Sequence, residues 1–319
     1  MIEPPVRAGA MARDGCPGGG TMRPLRTISV LPTMFTLGNL VCGFFAIVVA
    51  SRVSAPTLPA EITAADLEDG AVVAAPSARP SSLPKASPED FHNITFSACL
   101  IFIAMLFDAL DGHVARLSRT SSNFGAELDS LCDVVSFGVA AGFLLVKMCP
   151  RFAFLHREAV WTIAASFAAC AALRLARFNV ETSDEDDHLH FSGLPSPAAA
   201  GSIAGFAIIF YTLMGKSGLT PPPFAEKIYA ILQTVLPFYA ILLALLMVSR
   251  IPYPHVVNQV FRGERSFGHL VKLVFAVVAV MIIPGYALPM VFCVFALASP
   301  VRFAWERVVR RKHQEEPVF

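Results

Sequence analysis

The chain has 319 residues, of which 55% are hydrophobic and 15% charged, with a formal net charge of +1 and a mean hydropathy of +0.60. A soluble domain of this size carries about 25% charge, so an ordinary soluble fold is excluded, and the near-neutral balance gives no reason to expect nucleic acid. Seven cysteines without paired spacing, most of them inside apolar runs, predict no disulfide framework.

In chain order, residues 1–27 are rich in Gly, Pro and Arg and are expected to form a disordered N-terminus. They hold no compact apolar stretch ending in a cleavage site, so no signal peptide is expected. Eight apolar segments follow, at about residues 30–50, 94–117, 125–146, 159–177, 194–214, 228–248, 270–283 and 285–303. Most are long enough to cross a ~30 Å hydrocarbon core, and the last two are short and meet at Pro284-Gly285. The expectation is an all-α, polytopic membrane bundle of about eight helices spanning residues 28–303. Residues 51–92, Ala/Pro/Ser-rich with six acidic and three basic residues, read as a flexible extracytoplasmic insertion. Residues 304–319 form a basic tail.

Orientation follows from the basic residues. With the N-terminus inside, 17 of the 25 Lys and Arg fall on the cytoplasmic side. The positive-inside rule then places both termini in the cytoplasm. Asp108 lies 14 residues into the second segment, about 21 Å along a helix rising 1.5 Å per residue. Entered from outside, that depth is the cytoplasmic half of the bilayer.

The stretch "FDALDGHVARLSRTSSNFGAELDSLCD", Phe107 to Asp133, carries four aspartates in or beside apolar runs. Charges at such depth are costly and are read as functional. On a helix, Asp108, Asp111, Gly112 and Ala115 fall within about 100° of one another, and Gly125, Asp129 and Asp133 within about 80°. Two neighbouring antiparallel helices would aim the four carboxylates at one point. Unneutralised they would repel, and hard oxygen donors suit Mg²⁺ or Mn²⁺, with two ions about 3.5–4 Å apart. Gly112 and Gly125 leave room for a bulky ligand at the backbone. Arg116 is a natural partner for a phosphate oxygen. Two cations, an arginine and glycine clearance point to pyrophosphate chemistry.

The spacing D-x2-D-G-x2-A-R-x8-G-x3-D-x3-D from Asp108 to Asp133 resembles the signature of the CDP-alcohol phosphatidyltransferase family at every position. The resemblance implies a six-helix core, here with two helices added, and transfer of a phosphatidyl group from a CDP-linked lipid to an alcohol with release of CMP. It implies Asp108, Asp111 and Asp129 as metal ligands, Asp133 as ligand and general base, and Gly112, Ala115, Arg116 and Gly125 as CDP-lipid contacts. "LPTMFTLGNLVCGFFAI" (Leu31 to Ile47), "ALRLARFNV" and "FSGLPSPAAAG" resemble the phosphatidylserine synthase branch, implying CDP-diacylglycerol and L-serine as substrates. Sister branches use glycerol phosphate, inositol phosphate or choline. A homodimer and a multi-pass cell-membrane protein with a cytoplasm-facing site are implied as well. A cation transporter could also hold four buried carboxylates, but the chain has no second copy of the acidic motif.

Two further groups stay open at this level. Thr36, Asn39 and Gly43 share one face of the first segment, either as CDP-lipid contacts or as interhelical hydrogen bonding and close packing. Arg174 and Arg177 either bind the acceptor's carboxylate or anchor a helix end at the membrane surface. His113 and Cys132 are expected to pack rather than ligate, because oxygen-seeking metals do not need them. Pro195 and Pro197 are expected to set the entry of the fifth helix.

Overall fold

The computed structural model describes residues 30–53, 87–118, 123–150, 152, 157–183, 191–215, 222–253 and 284–314. The expectations for residues 1–27, for 54–86 of the insertion and for the segment at 270–283 lie outside these. The helices are α1 (Val30–Ser51), α2 (Pro88–Ser118), α3 (Asn123–Asp133), α4 (Ala140–Met148), α5 (Arg157–Ser183), α6 (Ser196–Phe210), α7 (Pro223–Val248) and α8 (Pro284–Gln314). Two-residue strands, β1 (Phe191–Ser192) and β2 (Pro252–Tyr253), pair antiparallel. Among the described residues, seven helical stretches are long and apolar enough to cross a membrane. Helices satisfy their own backbone groups, which is what a span through hydrocarbon requires. The chain is a polytopic helical bundle.

Helix α2 begins six residues earlier than its apolar pattern. Ser87 and Asp90 cap each other: Asp90 N donates to Ser87 Oγ (3.0 Å), and Ser87 N donates to Asp90 Oδ2 (2.9 Å). This reciprocal cap nucleates a turn that hydropathy does not register. The helix therefore starts at Pro88, within the 51–92 stretch. At the other end of the chain, α8 runs on to Gln314, past the predicted end of its segment at 303. An Arg302–Glu306 pair one turn apart (3.2 Å) supports that exposed extension.

Helices α3 and α4 form one crossing, joined by a π-helical turn at Val134–Val139. In that turn Ala140 N donates to Val135 O, five residues back. The crossing is the most buried of the seven, so it is the centre of the bundle and the others pack around it. Helix α1 runs antiparallel to α2, with the Phe107 ring against Gly38 at one end and Ser97 Oγ donating to Ala46 O (2.8 Å) further along. It runs parallel to α3–α4: Asn39 meets Asp133 near one end, and Lys147 Nζ donates to Val53 O (2.9 Å) at the other. Between helices the core uses small residues such as Ala46, Ala98, Ala104 and Ala171, with Phe137, Leu144 and Leu243 filling the interior. Small residues permit the close backbone approach on which association in lipid depends.

The approach to α6 is set by one residue. Gly193 has φ +90°, a conformation that side chains disfavour. A Cβ there would also strike the carbonyls of Met247 and Ser249. From this turn Gly193 N donates to Ile251 O (2.9 Å) and Leu194 N to Leu246 O (3.0 Å), binding the start of α6 to the end of α7. Pro195 caps α6 and Pro197 lies in its first turn, as the sequence predicts.

Candidate active site

Asp108 and Asp111 project from the last third of α2, and Asp129 from α3. One carboxylate oxygen of each lies within 4.8 Å of the others. Asp111 is 4% exposed, and Asp111 Oδ2 and Asp129 Oδ1 are buried without a hydrogen-bond partner. Two like charges 4 Å apart repel by about 4 kcal/mol at an effective dielectric of 20. Three such groups, two of them with an orphaned oxygen, form a donor set that a hard divalent cation fits. Beside them, a Cβ on Gly112 would meet nothing within 4 Å. Packing therefore does not require a glycine at that position, and the open space at the carboxylates does suit a ligand.

Asp133 ends α3 at 6% exposure and is held from α1. Asn39, fully buried, donates from Nδ2 to Asp133 Oδ1 at 2.9 Å. Ser136 Oγ, three residues on, donates to the Asn39 backbone carbonyl at 3.0 Å. Gly43, one turn beyond Asn39, has no room for a Cβ because Ser136 occupies that space. Thr36 Oγ1 bonds its own helix at Pro32 O (3.1 Å) and lies within hydrogen-bonding reach of Asp111. The Thr36, Asn39 and Gly43 stripe thus lies against the two acidic helices. Its protein contacts are interhelical hydrogen bonding and close packing.

The two arginines of "RLAR" separate. Arg174 Nη1 donates to Ser196 Oγ at 2.8 Å, its Nε is buried without a partner, and its charge is felt at Asp133 and Asp108. Arg177 Nη1 donates to the carbonyl of Val248 at 3.3 Å, the last residue of α7, where helix carbonyls lack intrahelical partners. Nearby, Asn179 Nδ2 donates to Ser130 Oγ at 3.0 Å, tying α5 to α3 beside Asp129. Ala115 and Arg116 fall on the final turn of α2, and their side chains lie outside the described residues. Gly125 occupies the first turn of α3, His113 is exposed and Cys132 buried.

Pattern reasoning did not single out Ser136 or Ser196, which fix Asn39 and Arg174. Ser196 lies within "GLPSPAAAG", so its signal was the motif itself. Ser136 has no sequence signal, because its role depends on a contact 97 residues away.

The profile of the CDP-alcohol phosphatidyltransferase family matches residues 29–297. The chain is 36% identical over 207 residues to the CDP-diacylglycerol–serine O-phosphatidyltransferase of Methanocaldococcus jannaschii, covering 65% of this chain and 84% of that protein. It is 36% identical over 167 residues to the enzyme of the same name from Helicobacter pylori, covering 51% of this chain and 62% of that one. Against the archaetidylserine synthase of Methanothermobacter thermautotrophicus, it is 34% identical over 164 residues, 50% of this chain and 59% of that protein.

Proposed function

The chain belongs to the CDP-alcohol phosphatidyltransferase family, and on that premise we propose that it transfers the phosphatidyl group of CDP-diacylglycerol to L-serine, giving phosphatidylserine and CMP. The observation that carries this reading is the convergence of Asp108, Asp111 and Asp129 beside the restrained Asp133. The names of the relatives support serine as the acceptor.

In this reading Asp108, Asp111 and Asp129 hold divalent cations, with Asp133 completing the set. Mg²⁺ or Mn²⁺ bound there supplies charge neutralisation on the pyrophosphate and on departing CMP. Asp133 takes the proton of the serine hydroxyl as its oxygen bonds the lipid-side phosphorus and the pyrophosphate bridge breaks. A hydroxyl is a weak nucleophile at neutral pH, and a positioned base compensates. Gly112 and Gly125 give the CDP-lipid access to the backbone, with Ala115 and Arg116 along the same helix end. Arg174 is the acceptor-binding cation, because its buried Nε is uncommitted and its charge reaches the carboxylates. Arg177 caps the end of α7.

Eight crossings and cytoplasmic termini belong to the same reading. The start of α6 is bonded to the end of α7, while Gly285 at the start of α8 packs on Thr212, just past the end of α6. Among the described residues, β2 therefore lies at one end of the bundle and the start of α8 at the other. A cysteine introduced at Ala74 is expected to react with a membrane-impermeant thiol reagent on intact cells, and one at Ser121 is not. The reverse labelling would overturn the orientation. A homodimer is part of this reading on family resemblance alone.

The acceptor is tested with purified protein, CDP-diacylglycerol and a panel of alcohols, following CMP release. Serine is expected to be the fastest acceptor, and Arg174→Lys to raise its KM at least tenfold, with a far smaller change for CDP-diacylglycerol. Lysine cannot reproduce the two-pronged grip of a guanidinium on a carboxylate. Faster transfer to glycerol phosphate would reject serine, and an unchanged serine KM would reject Arg174.

A further inference from the structure

We propose that Asn39 is the positioning residue for Asp133, and that Ser136 and Gly43 serve to keep helix α1 close enough for that. The proposal rests on the reading of Asp133 as the base. A carboxylate has two chemically equal oxygens and only accepts hydrogen bonds. A base that must meet one hydroxyl gains from having one of its oxygens tied, so that the other faces the acceptor in a fixed direction. Asn39 Nδ2 ties Oδ1 at 2.9 Å.

Asn39 is itself held by the helix that it restrains. Its side chain grips Asp133, and its backbone carbonyl receives Ser136 Oγ at 3.0 Å, so one residue of α1 holds two points three residues apart. Between those points the chain leaves α-helical geometry, with the π turn starting at Val134. A π turn shifts the residues that follow it relative to those before, and such turns accompany functional sites. Here the Ser136 bond fixes the widened turn and the Asn39 amide fixes the carboxylate just ahead of it. Gly43 makes the arrangement possible, since any larger residue would have to occupy the volume of Ser136.

Two observations separate positioning from ordinary helix association. Asn39 Nδ2 goes to a carboxylate of the acidic site, whereas the bonds that α1 receives from Ser97 and Ser136 go to its backbone carbonyls. Association of α1 with its neighbours is also served elsewhere, by Ser97 on Ala46 and Lys147 on Val53. Direct contact with the nucleotide is disfavoured as well, because the amide nitrogen is committed to Asp133 and the residue is fully buried.

The test compares Asn39→Ala, Asn39→Gln and Ser136→Ala with the native enzyme, using whichever alcohol the native enzyme transfers to fastest. Asn39→Ala is expected to lower kcat about 10- to 100-fold, the usual effect of losing a residue that orients a ligand or base. Measured at saturating cation, KM for both substrates is expected to stay within about twofold, while the cation concentration for half-maximal activity is expected to rise, because Asp133 is also read as a ligand. Asn39→Gln, which keeps the amide, recovers part of the loss. Ser136→Ala, which keeps the amide but frees its backbone anchor, gives a smaller fall of the same kind and decides the matter if Asn39→Ala does not fold. A raised KM for CDP-diacylglycerol with kcat preserved would make Asn39 a donor contact and overturn the proposal. Native turnover per folded molecule with only a lower Tm would overturn it in favour of packing. Native turnover in Asp133→Asn would remove the base and the positioning with it, whereas indifference to serine touches only the acceptor assignment.

Discussion

Asp133→Asn is expected to reduce turnover by at least 10²- to 10⁴-fold, the range of general-base assistance, with further loss because, on the proposed reading, a cation ligand goes too. The substitution keeps volume and shape. The new amide oxygen can still accept from Asn39 Nδ2, which now donates to Oδ1 at 2.9 Å, so the contact between α1 and α3 survives. One negative charge leaves a crowded cluster, which relieves like-charge repulsion. Thermal stability in a chelating buffer is therefore expected to be equal to or above that of the native protein. The measurement is CMP release from purified protein at saturating substrates, with Tm recorded on the same sample. Turnover within a few-fold of native in a folded variant would remove Asp133 from the chemistry.

That experiment concerns a residue found from the sequence alone, and the reason is physical. Carboxylates in apolar helices are so unfavourable that their mere presence is informative. Helical periodicity then says which of them share a face. Of the four carboxylates expected at one point, Asp108, Asp111 and Asp129 converge within 4.8 Å while Asp133 is tied to Asn39, and the prolines predicted to open a helix flank the start of α6. The arrangements that were not legible depend on partners remote in sequence. Nothing in "VVSFGV" signals a π turn, because an apolar run has no phase for the extra residue to disturb. The division of labour between Arg174 and Arg177 depends on Ser196 and on the Val248 carbonyl, contacts that only the folded chain brings together. The start of α2 lies ahead of its apolar pattern because hydropathy marks where a helix turns apolar, whereas the Ser87–Asp90 cap marks where it begins.

Removal of divalent cations is expected to abolish activity, and Mg²⁺ or Mn²⁺ to restore it. Asp108, Asp111 and Asp129 present three carboxylates whose oxygens lie within 4.8 Å of one another, with Asp111 Oδ2 and Asp129 Oδ1 buried and unpaired. Without cations, these charges repel each other and also the pyrophosphate of the donor, so substrate binding fails before chemistry begins. Arg174 alone cannot offset them, since it brings one positive charge against three carboxylates. A readout independent of activity follows from linkage: a cation that binds only the folded protein stabilises it by about 2.7 kcal/mol at 100 times its Kd. The native protein should therefore show a Tm that rises with Mg²⁺ or Mn²⁺. Asp129→Asn removes one donor while preserving shape, so it should shift that rise to higher cation concentration and raise the concentration needed for half-maximal activity in parallel. Full activity in excess chelator from protein shown to be metal-free would refute the cation site, as would a Tm indifferent to Mg²⁺ and Mn²⁺ in the native enzyme.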